Sequence, residues 1–185
     1  MKLPFNETKA TQASACLLEL ENRRMNYMKL IKLLYIADRE ALFRWGRPIT
    51  TDSYVSMKNG PVLSRVLDLI TEGREPGSFT PWFEFISIPS NYEVSLMKDC
   101  PKDELSQAEE DLIHEIYNKY GHMDQWQLVR FVHKFDEWRD PNGSSLPIFY
   151  GDILRAGNKT EDEISAIREE LGQLIDISDF MPSET

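Results

Sequence analysis

The sequence predicts a mainly α-helical fold, a compact multi-helix domain with one small β-hairpin. Apolar residues recur at helical spacing in several segments, and proline and glycine separate these segments into short elements. A length of 185 residues suits one domain, and 41% hydrophobic with 28% charged residues is ordinary for a globular chain. We therefore expect a single domain over 1–185, with its core at about 8–156, a C-terminal helix at about 160–175 and a frayed tail at 178–185.

The first two helices are predicted from apolar periodicity. The first spans 8–22, where Asn6 or Thr8 is available as an N-cap. The second spans 26–44 and is apolar on two faces, a pattern typical of a helix in the middle of a core. Gly46 is expected to end it.

The middle of the chain predicts one more helix and the hairpin. Residues 49–58 are expected to be extended or irregular, and Asn59-Gly60-Pro61 is expected to open a third helix, because proline is favoured in a first helical turn. Residues 82–88 and 92–98 alternate in polarity and predict a β-hairpin with its turn at Pro89-Ser90-Asn91.

Capping sequences predict the later helices. A turn at 140–143 precedes a short helix near 148–156, and the last helix follows it. In each capping box, a short polar side chain is followed three residues later by Glu or Gln. The three boxes are Ser106 with Glu109, Asp124 with Gln127, and Thr160 with Glu163.

Charge and cysteine usage restrict the classes of partner. The net charge is −10, which argues against nucleic acid or an anionic membrane as partner, because both are bound mainly through Lys and Arg. One basic cluster, formed by Arg23, Arg24, Lys29 and Lys32, is interpreted as the solvated polar face of a helix, with the lysine stems covering apolar surface. Cys16 and Cys100 predict two buried free thiols rather than a disulfide framework. With no apolar segment typical of a signal peptide or membrane span, we expect a cytoplasmic protein.

Catalytic and metal-binding motifs are sparse. His114, His122 and His133 lack the spacing of a zinc-binding helix, and the chain contains neither a phosphate-binding loop nor a nucleophile motif. We therefore predict no enzymatic activity, no cofactor and no metal. An enzyme of unknown type remains an alternative, with His133, Asp38 and Glu137 as its candidate site.

Three motifs in the first half resemble a known family. Residues 29–38 read K-L-I-K-L-L-Y-I-A-D, residues 46–49 read G-R-P-I, and residues 60–62 read G-P-V. In this order they resemble the Panacea domain, also described as the SocA-like antitoxin domain, and His133 followed by Trp138 resembles its later region. The residues that carry the resemblance are Lys29, Leu30, Lys32, Leu33, Leu34, Tyr35, Ala37, Asp38, Gly46, Pro48, Ile49, Gly60, Pro61, Val62, His133 and Trp138.

The resemblance, which covers about residues 8–156, implies a function in toxin–antitoxin systems of bacterial or phage defence. It implies an antitoxin that neutralises a cognate, adjacently encoded toxin by direct protein–protein binding. A protease adaptor that delivers the toxin for degradation is one alternative, with a cellular protease as partner, and a DNA-binding autorepressor is another. Self-association into a homo-oligomer is left open.

The motif residues are predicted to be either structural or partner-facing. Asp38 is the informative position, because a carboxylate in a buried helix needs hydrogen-bond partners. A nearby backbone N–H, Arg39 or Lys58 could supply them.

Overall fold

A computed structural model describes the backbone of residues 3–73 and 80–180, and the side chains of the same ranges as far as residue 173. Within these residues the chain forms eight helices and five short strands. The helices are α1 (Glu7–Leu20), α2 (Tyr27–Trp45), α3 (Ser64–Thr71), α4 (Pro81–Phe85), α5 (Gln107–Tyr120), α6 (Gln125–Val132), α7 (Tyr150–Ala156) and α8 (Glu161–Phe180). The strands are β1 (Arg24–Asn26), β2 (Tyr54–Met57), β3 (Gly60–Leu63), β4 (Glu93–Ser95) and β5 (Leu146–Ile148).

Helix α2 is the centre of the fold, as its two apolar faces predict. It packs against α1, α5, α6 and α7. The side chain of Asn26 caps its N-terminus by accepting hydrogen bonds from the backbone N–H groups of Met28 and Lys29. Gly46 ends the helix with a φ of 69°, in the left-handed region that glycine adopts without steric cost.

The cap predictions for the other long helices are confirmed. Asn6, rather than Thr8, caps α1 by accepting a hydrogen bond from Lys9 N at 2.9 Å. Both hydrogen bonds of each predicted capping box are present at the starts of α5, α6 and α8. These signals are reliable because cap and helix lie within a few residues of one another.

The third helix begins later than predicted. Gly60–Leu63 is strand β3, which pairs antiparallel with β2, and α3 starts only at Ser64. Gly60 has a φ of 94°, so it closes the tight turn between these strands, and Pro61 is tolerated because β3 is an edge strand. The cap of α3 is Asp52, whose carboxylate accepts hydrogen bonds from Arg65 N and Val66 N at 3.0 Å.

The prediction of a single β-hairpin over residues 82–88 and 92–98 is wrong. Residues 81–85 form helix α4, which buries Trp82, and the ladder of β4 is formed with β1. The segment after α4 contributes only a few hydrogen bonds to this region, such as Ser87 N to Ser95 O at 2.9 Å. Only isolated bridges remain where the hairpin was expected, between Ile86 and Leu96 and between Ser90 and Glu93. The mainly helical prediction holds roughly, with eight helices in the described residues, but the strands form two small antiparallel sheets, β1-β4 and β3-β2-β5, in place of one hairpin.

The C-terminal helix α8 runs to Phe180, past its predicted end at about 175. It packs through Ile164, Ile167 and Leu171, and Ile167 lies against Gly46 at the end of α2. Residues 181–185 of the predicted tail lie outside the described residues. Among the helices that are described, none is both long and apolar enough to cross a membrane.

Candidate functional site

Every third residue of α2 from Lys29 to Asp38 is polar, and all four of these side chains are directed into the protein. Lys29 is 8% exposed, Lys32 1%, and Tyr35 and Asp38 0%. The prediction that Lys29 and Lys32 belong to a solvated helix face is therefore wrong, because both lysines are buried. Each bonds to a different distant segment of the chain. The intervening motif residues Leu30, Leu33, Leu34 and Ala37 are part of the hydrophobic core.

Asp38 holds the segment that follows α2. Its carboxylate accepts hydrogen bonds from the backbone N–H of Ile49 at 2.9 Å and of Thr50 at 3.0 Å. The hydroxyl groups of Thr50 and Tyr54 donate two more. Burial raises the pKa of Asp38 to about 6, while the donated hydrogen bonds oppose this shift, so the group is ionised at neutral pH. The turn at 46–49, in which Pro48 and Ile49 are buried, is thereby fixed to the middle of α2.

Lys32 holds the turn between β2 and β3. Its Nζ donates a hydrogen bond to the carbonyl oxygen of Pro61 at 2.7 Å, and no carboxylate within the described ranges pairs with it. Burial lowers the pKa of Lys32 to about 7. A Cβ atom added at Gly60 would lie 2.7 Å from Val132 Cγ2 and 3.4 Å from Lys32 Nζ, so only glycine fits there.

Lys29 and Tyr35 bond to the second half of the chain. Lys29 Nζ contacts Glu21 Oε1 at 2.6 Å and the carbonyl oxygen of Gly121, just after α5, at 2.7 Å. Tyr35 donates to Glu137 Oε1 at 3.0 Å. Arg39, on the next turn of α2, donates to the same oxygen at 2.7 Å and to Oε2 at 3.3 Å.

Two rings flank the Arg39 guanidinium beside this ion pair. Its central carbon lies 4.5 Å from the ring centroid of Phe43 and 4.0 Å from that of Phe135. Such cation–π contacts favour a guanidinium over an ammonium group. The sequence offered a backbone N–H group or Arg39 as a partner of Asp38. The backbone N–H prediction is confirmed, whereas Arg39 pairs with Glu137.

His133 and Trp138 cover the β2–β3 turn from the other side. Their rings stack with centroids 4.1 Å apart, and Trp138 Nε1 donates to the carbonyl oxygen of Met57 at 3.1 Å. His133 Nε2 is buried and has no hydrogen-bond partner in the described part of the chain. Burial lowers the pKa of His133.

The remaining motif residues are placed where the backbone turns or the core closes. Gly46 ends α2, and Pro61 is buried in β3. Ile49 and Val62 belong to the core. The three candidate residues for an enzyme, Asp38, Glu137 and His133, share no hydrogen bond among the residues described here. Asp38 bonds to the segment after α2, Glu137 bonds to Tyr35 and Arg39, and the His133 ring stacks on Trp138.

Potential metal ligands and thiols are the next groups of interest in the described ranges. No group of three or more His, Cys, Asp or Glu side chains there is arranged to hold a metal ion. Cys16 and Cys100 are buried free thiols, and burial raises the pKa of each to about 11.

A groove that the sequence did not reveal lies beside β5. It has a volume of about 490 Å³ and is bordered by β5, by α7 and by the segment that follows α6. Two large apolar side chains beside it are exposed to solvent, Leu146 at 41% and Phe149 at 66%. The one indication of this groove in the sequence was that Leu146 and Phe149 follow closely after the predicted turn at 140–143. The lining residues are Ser56, Asp136, Glu137, Arg139, Leu146, Pro147, Phe149, Asp152, Arg155 and Ala156.

A family model described as "Antitoxin SocA-like, Panacea domain" matches residues 30–139, more than half of the chain. The chain belongs to this family. The Panacea match begins within α2 and ends next to Trp138, so it contains Lys32, Tyr35 and Asp38 together with their partners in β3, at Glu137 and at 49–54. Strand β5, α7 and α8 follow the matched range. Neither the curated proteins nor the solved structures give a match to this chain.

Proposed function

We propose that this Panacea-domain protein is an antitoxin that neutralises a cognate, adjacently encoded toxin by direct protein–protein binding. The observation that carries this proposal is the family match over residues 30–139. Binding rather than catalysis is the mode of action that we infer, since the family is described by an antitoxin and the buried polar side chains of α2 are occupied by hydrogen bonds to other segments of the chain.

In this proposal the family motif is a structural device and not the contact surface. The four polar side chains of α2 are at most 8% exposed and bond to other segments of the same chain. A partner that docks on the intact domain meets few atoms of these residues. Recognition of the toxin therefore falls to exposed residues outside the motif, which could vary while the scaffold stays constant.

The charge of the chain supports a protein partner with a basic surface. A net charge of −10 repels nucleic acid and attracts a cationic protein over distances of about a Debye length, roughly 8 Å at physiological salt. Two buried free thiols suit a reducing compartment, and we place the interaction in the cytoplasm.

Coexpression tests this function. The chain is expressed with the product of the adjacent gene, and growth is compared with that of cells that carry the adjacent gene alone. We expect the chain to restore growth equally in a wild-type host and in a protease-deficient host. Rescue that disappears without the protease would replace direct neutralisation by the adaptor mechanism, and absence of rescue in both hosts would contradict the antitoxin function.

A further inference from the structure

We propose that the groove beside β5 is the toxin-binding surface, and that it accepts a basic segment presenting an Arg or Lys side chain next to an apolar one. This assignment rests on the proposed antitoxin function and names the surface through which it acts. Three observations carry it: exposed apolar side chains at the rim, an excess of carboxylates, and a rigid floor.

The rim carries the apolar part of the surface. Leu146 begins β5 and Phe149 directly follows its last residue, Ile148. Leu146 and Phe149 are exposed, whereas Ile148 belongs to the core and is 5% exposed. Large apolar side chains at a polar-rimmed concavity are typical of protein interfaces, and aromatic residues often contribute most of the binding energy there. Phe149 is therefore the expected anchor.

The charges favour a cation as the polar part of the ligand. Arg155 is neutralised by Glu161 at 2.6 Å and by Asp152 at 3.3 Å, and Glu137 is neutralised by Arg39. With these partners included, the groove region contains four carboxylates and three guanidinium groups. The carboxylates are those of Asp136, Glu137, Asp152 and Glu161, and the guanidinium groups are those of Arg39, Arg139 and Arg155. Asp136 and Arg139 both line the groove and make no ion pair within the described residues, so the groove is acidic by one carboxylate. The Asp136 carboxylate is available to an incoming ammonium or guanidinium group.

The floor is built from buried, bonded groups and does not need to reorganise. Glu137 is 6% exposed and is held by Tyr35 and Arg39. Ser56, 1% exposed, accepts a hydrogen bond from Arg139 N at 3.2 Å. A pre-organised surface loses less conformational entropy on binding than a mobile one. The family motif thus supports the groove from beneath, since Tyr35 of α2 positions Glu137.

Side chains rather than backbone would make the contacts. Strand β5 is an edge strand, where another chain could add a strand, but its central residue Pro147 has no N–H group to donate. Addition of a continuous toxin strand along β5 is therefore disfavoured. This leaves the groove and its rim as the place where a partner side chain can be inserted.

The test compares three single variants in binding to the purified product of the adjacent gene. Phe149→Ser removes the apolar anchor and places at the N-cap of α7 a serine, which is favoured there, so we expect the fold to be retained. Asp136→Lys reverses the free carboxylate. Ile88→Ser is the matched control, because Ile88 is 64% exposed and does not line the groove.

We expect Phe149→Ser and Asp136→Lys each to weaken binding at least about tenfold in titration calorimetry, and Ile88→Ser to bind like the wild type. Hydrogen exchange should slow at residues 146–156 in the complex. If the wild type binds and both groove variants bind equally well, the groove assignment is wrong while the antitoxin function stands. If the wild type forms no complex, direct neutralisation itself fails and the assignment falls with it.

A second copy of this chain is the competing occupant. Light scattering of the chain alone separates the two cases, because toxin binding predicts that the wild type and Phe149→Ser have the same mass. A wild-type dimer that Phe149→Ser converts to a monomer would overturn the assignment to the toxin.

Discussion

Asp38 in the middle of α2 accepts a hydrogen bond from the backbone N–H of Thr50 at 3.0 Å. Because the backbone of Ile49 and the hydroxyl groups of Thr50 and Tyr54 donate to the same carboxylate, one buried anion fixes the turn after α2 and the start of the second sheet. The domain is thus organised by polar contacts of its central helix as much as by apolar packing.

Substitution of Asp38 by Asn should destabilise the domain strongly. The amide would place an N–H donor among groups that are all donors, so at least one of them would lose its acceptor. We expect the free energy of unfolding in urea to fall by about 2–4 kcal/mol. The control Asp111→Asn, on an exposed site of α5, should change stability little. Equal stabilities of the two variants would contradict the role of Asp38.

Gly60→Ala should be destabilising for two reasons. Alanine is strained at a φ of 94°, and its Cβ would lie 2.7 Å from Val132 Cγ2. Together these should cost about 2–4 kcal/mol in urea unfolding. Gly143→Ala is the matched control, since Gly143 has a φ of 89° but no atom within 4 Å of the added Cβ, so it measures the backbone strain alone.

The double variant Gly60→Ala with Val132→Ala separates the steric part of this effect. Removal of the Val132 Cγ2 atom should recover part of the stability lost in Gly60→Ala, beyond what the separate effects predict by addition. Additive effects would show that the contact between α6 and the β2–β3 turn is not close.

The buried Lys32 predicts a distinctive dependence of stability on pH. Its pKa is about 7 in the folded chain against 10.5 when exposed, so between these values the folded state binds fewer protons than the unfolded one. Stability therefore rises as pH increases from about 7 to 10.5, and the loss on lowering the pH levels off below 7, where both states are protonated. Relative to Lys32→Met, the wild type should gain roughly 1 kcal/mol per pH unit between pH 7.5 and 10.

The matched control for this dependence is Lys134→Met, at an exposed site just after α6. Urea unfolding at each pH provides the measurement. A difference between wild type and Lys32→Met that stays constant over this range would mean that Lys32 is not desolvated as the structure places it.

Local signals in the sequence predicted the helices well, and long-range pairing explains where prediction failed. Asn6, Ser106, Asp124 and Thr160 cap helices from within a few residues, so their patterns are complete in the sequence. Strand β4 instead pairs with β1, which lies about seventy positions earlier, and no local alternation encodes that partner. The predicted hairpin assigned β4 to its nearest apolar neighbour.

The candidate site was only partly predictable for the same reason. The need of Asp38 for a hydrogen-bond partner followed from its place in an apolar helix, and backbone N–H groups were among the partners considered. The pairing of Tyr35 and Arg39 with Glu137 spans about a hundred residues, and the groove depends on β5 packing beside β2. Neither arrangement has a spacing signature within one segment.

The most direct test of the account is size-exclusion chromatography of the purified chain mixed with the purified product of the adjacent gene, followed by measurement of the mass of the complex. The account predicts a stable complex of defined stoichiometry formed by these two proteins alone, without a protease or nucleic acid. Separate elution of the two proteins at micromolar concentration, despite full rescue of growth in cells, would contradict direct neutralisation.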